Sequence, residues 1–484
     1  MSEFTHFTQG IVGNDTTITT PNGTFPLVYA DWAASGRLYE PIEHKMQTFF
    51  GPFVANTHTE SNATGTAMTQ SYHEAKHVIK THVHANENDV LLFAGSGMTG
   101  AVTLLQRILG WRLPERYNPQ VTISEQERPV VFVSQLEHHS NHTSWLETIA
   151  DVVVVPQTEK DGLDQNALMS LLKKYRDRRT KVAAITAASN VTGVRLDVHA
   201  VATLMHQYNG LCFVDYTCAA PYDAIDMHPN REGTLDALYF SPHKFLGGPG
   251  TPGVLIFNKQ LYGNAVPDRP GGGTVLWTNP WGEKRYYDDI EIREDGGTPP
   301  FLGAIRAALA IKLKEKMGIT SIAKREDAIV NQVFGDLEKV SGVHILASDH
   351  KKRLAVFAFV IDGLHYNLVT RLLNDRYGIQ ARGGCACAGT YGHVLFDINR
   401  TQSNEITANI THGDLSQKPG FVRVSLNPTM SNEVVAYITS AIKDIAELGA
   451  QWAKDYTYDS HTNEFSHLKQ SEYVTLSVKE GFTL

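Results

Sequence analysis

Three stretches of this chain carry side chains suited to covalent chemistry. The first is Ser241-Pro-His-Lys244-Phe-Leu-Gly-Gly-Pro-Gly250, with Lys244 on a turn of small residues between the apolar runs 235–240 and 253–257. Most lysines are solvated surface charges. A lysine on a Gly/Pro-rich turn between buried strands is instead partly desolvated, which lowers its pKa and leaves an amine able to form a Schiff base. The second is Asp215, directly after the apolar run Leu211-Cys-Phe-Val214. Open α/β sheets bind ligands at the carboxyl ends of their strands, so an acid there faces a ligand. The third is Arg382-Gly-Gly-Cys385-Ala-Cys387-Ala. Two cysteines on a Gly-rich loop are explained by reactivity rather than packing. A lone Cys-x-Cys with no second pair is a weak zinc signal.

Other stretches supply the groups that would surround such chemistry. Ala94-Gly-Ser-Gly97-Met98-Thr99-Gly100 joins an apolar run, 90–93, to a helical pattern beginning near Ala101. Strand, small-residue turn, helix puts free N–H groups and the positive end of the helix dipole at one point, a cradle for phosphate. It matches neither a Walker A sequence nor the GxGxxG fingerprint, so a nucleotide is not indicated. Glu137-His138-His139-Ser-Asn-His142 follows the strand 129–133. Three histidines without further ligands make a weak metal case, so no metal is expected. A flat imidazole can instead stack on an aromatic cofactor. Asp31-Trp-Ala33-Ala-Ser-Gly36 has side chains small enough for a backbone to approach a ligand closely, and Asn56-Thr-His58 opens a polar stretch that is either solvated or a site wall. A phosphate cradle, a stacking histidine, a strand-end aspartate and a lysine on a turn are together what pyridoxal 5′-phosphate requires.

These groups need a scaffold. From residue 89 to 260, short apolar runs alternate with amphipathic ones, the pattern of a mainly parallel, doubly wound sheet covered by helices. A helical region over 301–340 leads to a second set of elements. These are a strand at 353–361, a helix at 365–377 stopped by Gly378, a short strand at 379–382, a strand at 420–426 and a helix at 432–448. The expected class is α/β, with a smaller α+β domain beside the large one. The expected boundaries are an N-terminal arm at 1–45 contributing to the small domain, a cofactor domain at 46–310, a small domain carrying the cysteine loop at 311–450, and a tail at 451–484.

Composition removes several alternatives. The 484 residues are 42% hydrophobic and 19% charged, which is ordinary for a chain with a large core, and the net charge of −8 comes without a basic block. Nucleic-acid binding therefore has no electrostatic footprint. No apolar run reaches the ~18 residues of a spanning helix, so no membrane is expected. The opening Met1-Ser-Glu-Phe-Thr-His lacks the basic and apolar regions of a secretory signal, and four cysteines do not make a disulfide framework. A reducing cytoplasm is the expected location.

The motifs Asp31-Trp-Ala-Ala-Ser35, Ser96-Gly-Met-Thr99, Glu137-His-His139, Ser189-Asn-Val-Thr-Gly193, Val214-Asp215, Ser241-Pro-His-Lys244, Gly271-Gly-Gly-Thr274 and Arg423-Val-Ser425 occur in that order over residues 27–448. The chain resembles the class V aminotransferase-fold enzymes, and most of all the cysteine desulfurases and selenocysteine lyases. The resemblance implies PLP fold type I with a sheet of the seven-stranded type, and a homodimer with shared active sites. It makes Lys244 the Schiff-base lysine and His138 the ring-stacking histidine. Asp215 would pair with the pyridinium nitrogen, and Asn190 would lie near the cofactor hydroxyl. Met98, Thr99, Ser241 and His243 would hold the phosphate, and Thr274 would reach the partner subunit's phosphate. Arg423 would clamp the substrate carboxylate, with Ala33, Asn56 and His58 on the substrate side. The loop matches best with Cys387 as the sulfur-accepting nucleophile and Cys385 as a second thiol. Cys218 stands where many desulfurases have a glutamine, and 388–420 is longer than the ordinary loop. The Cys-x-Cys pattern and Lys418-Pro-Gly-Phe-Val-Arg423 also look like the desulfurase-like domain of molybdenum cofactor sulfurases. The implied reaction removes sulfur from L-cysteine to give alanine and an enzyme persulfide for a sulfur-acceptor protein. The alternative is an aminotransferase, epimerase or C–S lyase of the same fold without the persulfide.

Overall fold

The computed structural model describes residues 3–117, 120–158, 162–230, 232–469 and 480–483. The chain divides into two compact units. The larger is Ser35–Ser189 with Arg195–Ile322; the smaller is Met1–Ala34, Asn190–Val194 and Ala323–Leu484.

The larger unit is organised on seven strands: β1 (Asp89–Ala94), β2 (Val130–Ser134), β3 (Asp151–Val155), β4 (Lys181–Thr186), β5 (Leu211–Asp215), β6 (Ala237–Phe240) and β7 (Gly253–Asn258). Their order across the sheet is β1-β7-β6-β5-β4-β2-β3. The run from β6 to β3 is parallel, and β7 is antiparallel to both its neighbours. Every residue of β1, β2, β4 and β6 is buried, the reason these strands read as continuous apolar runs. Five helices of this unit follow strands or border the sheet: α1 (Ala63–His82), α2 (Met98–Ile108), α3 (His139–Leu146), α4 (Gln165–Lys174) and α5 (Val198–Gln207). Helix α2 seats Ala101, Val102, Leu104, Leu105 and Ile108 in the core, and α3 is anchored by the fully buried Trp145. Helix α2 begins at Met98, three residues earlier than the apolar pattern predicts. Gly100, a poor helix former, lies inside its first turn and hides the start.

The smaller unit holds the antiparallel sheet β8 (Val343–Ile345), β9 (Val356–Ile361), β10 (Arg382–Gly384) and β11 (Phe421–Ser425), in the order β8-β9-β11-β10. Helix α6 (Tyr366–Tyr377) is capped by the His365 side chain and ended by Gly378 in the left-handed conformation. The N-terminal arm joins this unit through Val28–Tyr29, which pairs in parallel with Ile379–Gln380.

Two stretches that showed no pattern in sequence are structured. Residues 388–420 contain α7 (Gly389–Leu395) and α8 (Arg400–Thr411), the second opened by an Asn399/Gln402 capping box. The last long helix, α9, runs over Asn432–Trp452, and a hairpin of β12 (Tyr456–Asp459) and β13 (Glu464–His467) follows. The hairpin packs Tyr458 on Phe465 with ring centroids 4.7 Å apart, and Arg371 of α6 donates to the Phe465 carbonyl at 3.0 Å.

Candidate active site

In the larger unit, Lys244 ends a single 3-10 turn, Pro242–Lys244, and is half-buried. Gly36 explains the fit. Its N–H donates to the His243 carbonyl at 2.9 Å, and a Cβ at this position would collide with the Phe245 carbonyl. The small residue at 36 thus serves to seat the lysine turn, whereas the sequence suggested a close approach to ligand.

The small-residue turn between β1 and α2 meets the Ser241–Lys244 turn. Gly97 caps α2, and the N–H of Met98 donates to Ser241 Oγ at 2.8 Å. A Cβ on Gly97 would lie 3.0 Å from both Ser241 Oγ and the His243 ring, so only glycine leaves this space. His243 Nδ1 donates to the Ser96 carbonyl at 3.1 Å. Burial and then the Lys244 charge hold its pKa below the usual histidine value, so the ring is neutral at neutral pH. The hydroxyls of Thr99 and Ser140 meet at 2.6 Å, joining the first turns of α2 and α3. Two helix starts therefore converge beside the Ser241–Lys244 turn.

His138 is the N-cap of α3, and its Nδ1 accepts from the Ser140 N–H at 3.1 Å. That fixes the tautomer: a neutral ring must carry its proton on Nε2. Behind it lies fully buried Glu137, which accepts from Ser134 Oγ at 2.5 Å, Thr186 N–H at 2.9 Å and Asn141 Nδ2 at 2.7 Å. Burial pushes its carboxyl up to about 8 against the pull of these donors. Asp215 ends β5, and its Oδ1 accepts from the Thr217 N–H at 2.8 Å. Burial raises its pKa, opposed by Thr217 and by the Lys244 charge, which places lysine and aspartate within electrostatic reach of each other. The Thr217 hydroxyl is buried with no partner in the structure. Cys218 is also buried, with Sγ 3.7 Å from the Ser189 carbonyl.

Asn56, His58 and Thr274 belong to this unit too. The His58 ring lies against Gly273, and Asn56 Oδ1 accepts from Thr298 at 3.4 Å. Thr274 is fully buried, and its hydroxyl donates to the Gly271 carbonyl at 2.7 Å, closing the Gly271–Thr274 turn on itself.

The smaller unit brings together Asp31, Ala33, Asn190, the cysteine loop and Arg423. Arg423, on β11 and 3% exposed, donates to Asp31 Oδ1 at 2.7 Å and to the Asn190 carbonyl at 2.8 Å, while its Nε has no partner. Arg382, its cross-strand neighbour on β10, takes the other oxygen of Asp31 at 3.0 Å. The Ala33 N–H donates to Ser425 Oγ at 2.8 Å. Asn190 turns its side chain to the cysteine loop, and Nδ2 donates to the Ala386 carbonyl at 2.7 Å, leaving Oδ1 buried and unpartnered. Ala386 and Cys387 both have positive φ, 48° and 57°. Neither is glycine, so each costs about 1–2 kcal/mol. Strain of this kind is kept where surrounding contacts hold it, and it gathers at functional sites. Cys387 is exposed and Cys385 half-buried.

Sequence reasoning named Asp31 and Arg382 only as the heads of their motifs and did not single out Ser140 or Thr217, which are identified by spatial partners alone. Among the described residues no three His, Cys, Asp or Glu side chains cluster as a metal site, and no helix is long and apolar enough to cross a membrane.

The sheet order, the lysine turn and the helix-start cradle define a class, and the comparisons give it a family. The chain belongs to the aminotransferase class-V family, whose profile matches residues 28–438. It is 28% identical over 375 residues to a probable cysteine desulfurase of Halalkalibacterium halodurans, covering 76% of this chain and 85% of that protein. A probable cysteine desulfurase of Staphylococcus aureus is 25% identical over 366 residues, covering 75% and 83%. Two solved structures share the fold. The apo cysteine desulfurase of Thermococcus onnurineus NA1 matches with a TM-score of 0.70 at 20% identity, over 87% of this chain and 95% of that one. The cysteine desulfurase CsdA of Escherichia coli matches at 0.66 and 22%, over 88% and 97%.

Proposed function

We propose that this chain is a pyridoxal 5′-phosphate-dependent cysteine desulfurase, which takes sulfur from L-cysteine, releases alanine and holds the sulfur as a persulfide on Cys387. The observation that carries the reading is the exposed Cys387 thiol on a strained turn, tied through Asn190 to Arg423. The cofactor fits the larger unit: a glycine-lined cradle, the orphaned Thr217 hydroxyl and a buried acid near Lys244 are the donor set it needs. When bound, pyridoxal phosphate supplies an electron sink for the charge left at the substrate Cα.

The residues divide the remaining work. Lys244 would hold the cofactor through its amine and move the Cα proton. Met98 N–H, Thr99, Ser241 and His243 would hold the phosphate. Asp215 would pair with the ring nitrogen, and its cost of burial as an anion would fall with that partner. His138, with its proton on Nε2, would stack on the ring. Asn190 would serve the cofactor hydroxyl. Arg423 grips the substrate carboxylate with its planar fork, held in orientation by Asp31. Ala33, Asn56 and His58 line the substrate side. Cys387 attacks the substrate sulfur. The enzyme works as a homodimer in the cytoplasm. Supporting the dimer is the hairpin 275–286 after Thr274, which exposes Leu276, Trp277 and Trp281. Thr274 then serves the partner subunit's phosphate, and the persulfide sulfur passes to an acceptor protein.

The test is to incubate the cofactor-loaded protein with L-cysteine and follow alanine, keto acid and protein-bound sulfur. Alanine with persulfide on Cys387 is expected. Keto acid formed equally well by Cys387→Ala would replace this reading with a transaminase or C–S lyase.

A further inference from the structure

We propose that Cys385 is a resolving thiol, which discharges a persulfide on Cys387 as sulfide and closes a disulfide within the loop. The inference rests on the reading of Cys387 as the sulfur acceptor. Its basis is the shape of the four residues Cys385–Ala388. The Ala388 N–H donates to the Cys385 carbonyl at 3.1 Å, and the two residues between them have φ of 48° and 57°. A closed turn with both central residues left-handed is a type I′ β-turn, a tight four-residue reversal. A central residue folded this way holds its two neighbours' Cα atoms closer than an extended residue does, toward the ~4.4–6.8 Å that a disulfide spans. An extended Cys-x-Cys would hold the two thiols on opposite faces of a strand.

The surroundings favour the same assignment. Both cysteines are free thiols, and neither is fully buried. The turn is held by the Asn190 amide on the Ala386 carbonyl, the peptide oxygen immediately before Cys387. The two remaining cysteines, Cys212 and Cys218, are buried, so the exchange is confined to this loop.

The step balances without an outside oxidant. The Cys385 thiolate attacks Sγ of Cys387, the inner sulfur of the persulfide. The Cys385–Cys387 bond forms as the bond to the terminal sulfur breaks. The terminal sulfur leaves as hydrosulfide, keeping its own proton and the bonding pair. The two cysteines lose the two electrons that this sulfur gains. A dithiol reductant then restores both thiols before the next cycle.

The experiment uses the reduced, cofactor-loaded chain and one equivalent of L-cysteine without added thiol. Alkylation, intact-mass measurement and sulfide assay follow. Sulfide equal to alanine is expected, with the protein lighter by two hydrogens and Cys385 and Cys387 both protected from alkylation. In Cys385→Ser the protein should retain one extra sulfur atom. A second arm charges the protein with inorganic polysulfide, desalts it and repeats the measurements. Closure of the disulfide in that arm supports the resolving role even if no alanine forms, an outcome that would overturn the desulfurase reading alone. A persistent persulfide on Cys387 beside an alkylated Cys385, in either arm, overturns the proposal.

Discussion

Lys244 and Cys387 both stand on turns, and the turns are built in opposite ways. The Lys244 turn lies between two fully buried strand ends, rests on Gly36 and shares Ser241 with the start of α2. No residue from 241 to 246 needs a left-handed backbone. The Cys387 turn is half exposed, carries two strained non-glycine residues, and is held by one amide from Asn190 and one internal hydrogen bond. A rigid, unstrained seat suits a group that must present one atom to a fixed cofactor. A strained, lightly held one suits a thiol that must travel, since segments that move are drawn from the least stable parts of a fold.

Substitutions can break this contrast, beginning with the largest effect. Lys244→Ala should abolish the yellow covalent cofactor adduct and lower alanine formation by roughly 10²–10⁴-fold, the range for removing a proton-transfer group; an absorbance scan and an alanine assay check both. Cys387→Ala should stop protein persulfide formation while the cofactor absorbance stays. If both variants lose colour alike, the two turns are not independent. Arg423→Lys should lower kcat/KM by roughly 10- to 100-fold, the worth of a charge-assisted, two-pronged contact, with most of the change in KM. Asn190→Ala should produce the smallest change. One neutral hydrogen bond is worth about 1 kcal/mol, so iodoacetamide should reach Cys387 about fivefold faster. An unaltered alkylation rate would mean the turn is held by something other than the latch.

The two turns also differed in how far sequence could describe them. The lysine turn, the cradle and Asp215 each sit at the end of a buried strand beside small residues or a helix start, and these leave a local pattern even though Gly36 and Met98 hold the lysine turn from far away in sequence. The cysteine half is assembled across long separations. Asp31 meets Arg382 and Arg423 over 351 and 392 residues, and Asn190 meets Ala386 over 196. No periodicity encodes such pairs. Asn190 is an example: the resemblance ties it to the cofactor hydroxyl, and its Nδ2 is in addition bonded to the cysteine turn. The hairpin of β12 and β13 escaped for another reason. Each strand has four residues, and only Tyr456, Tyr458 and Phe465 mark them, too few for alternation to register. The seven-stranded sheet was the easiest part to read, because burial on both faces leaves long runs of Val, Ile, Leu and Phe.

The bonds from Asp31 through Arg423 and Asn190 to Ala386 also have a thermodynamic meaning. A carboxylate that engages the guanidinium and a thiol that leaves its turn draw on the same chain of contacts. Binding linkage is reciprocal. Whatever factor substrate contributes toward opening the loop, an open loop returns as the same factor in substrate affinity. With Cys387 as the sulfur acceptor and Arg423 as the carboxylate clamp proposed above, closing of the turn would weaken the grip on the remaining amino acid by that factor. Product release would then be coupled to persulfide formation.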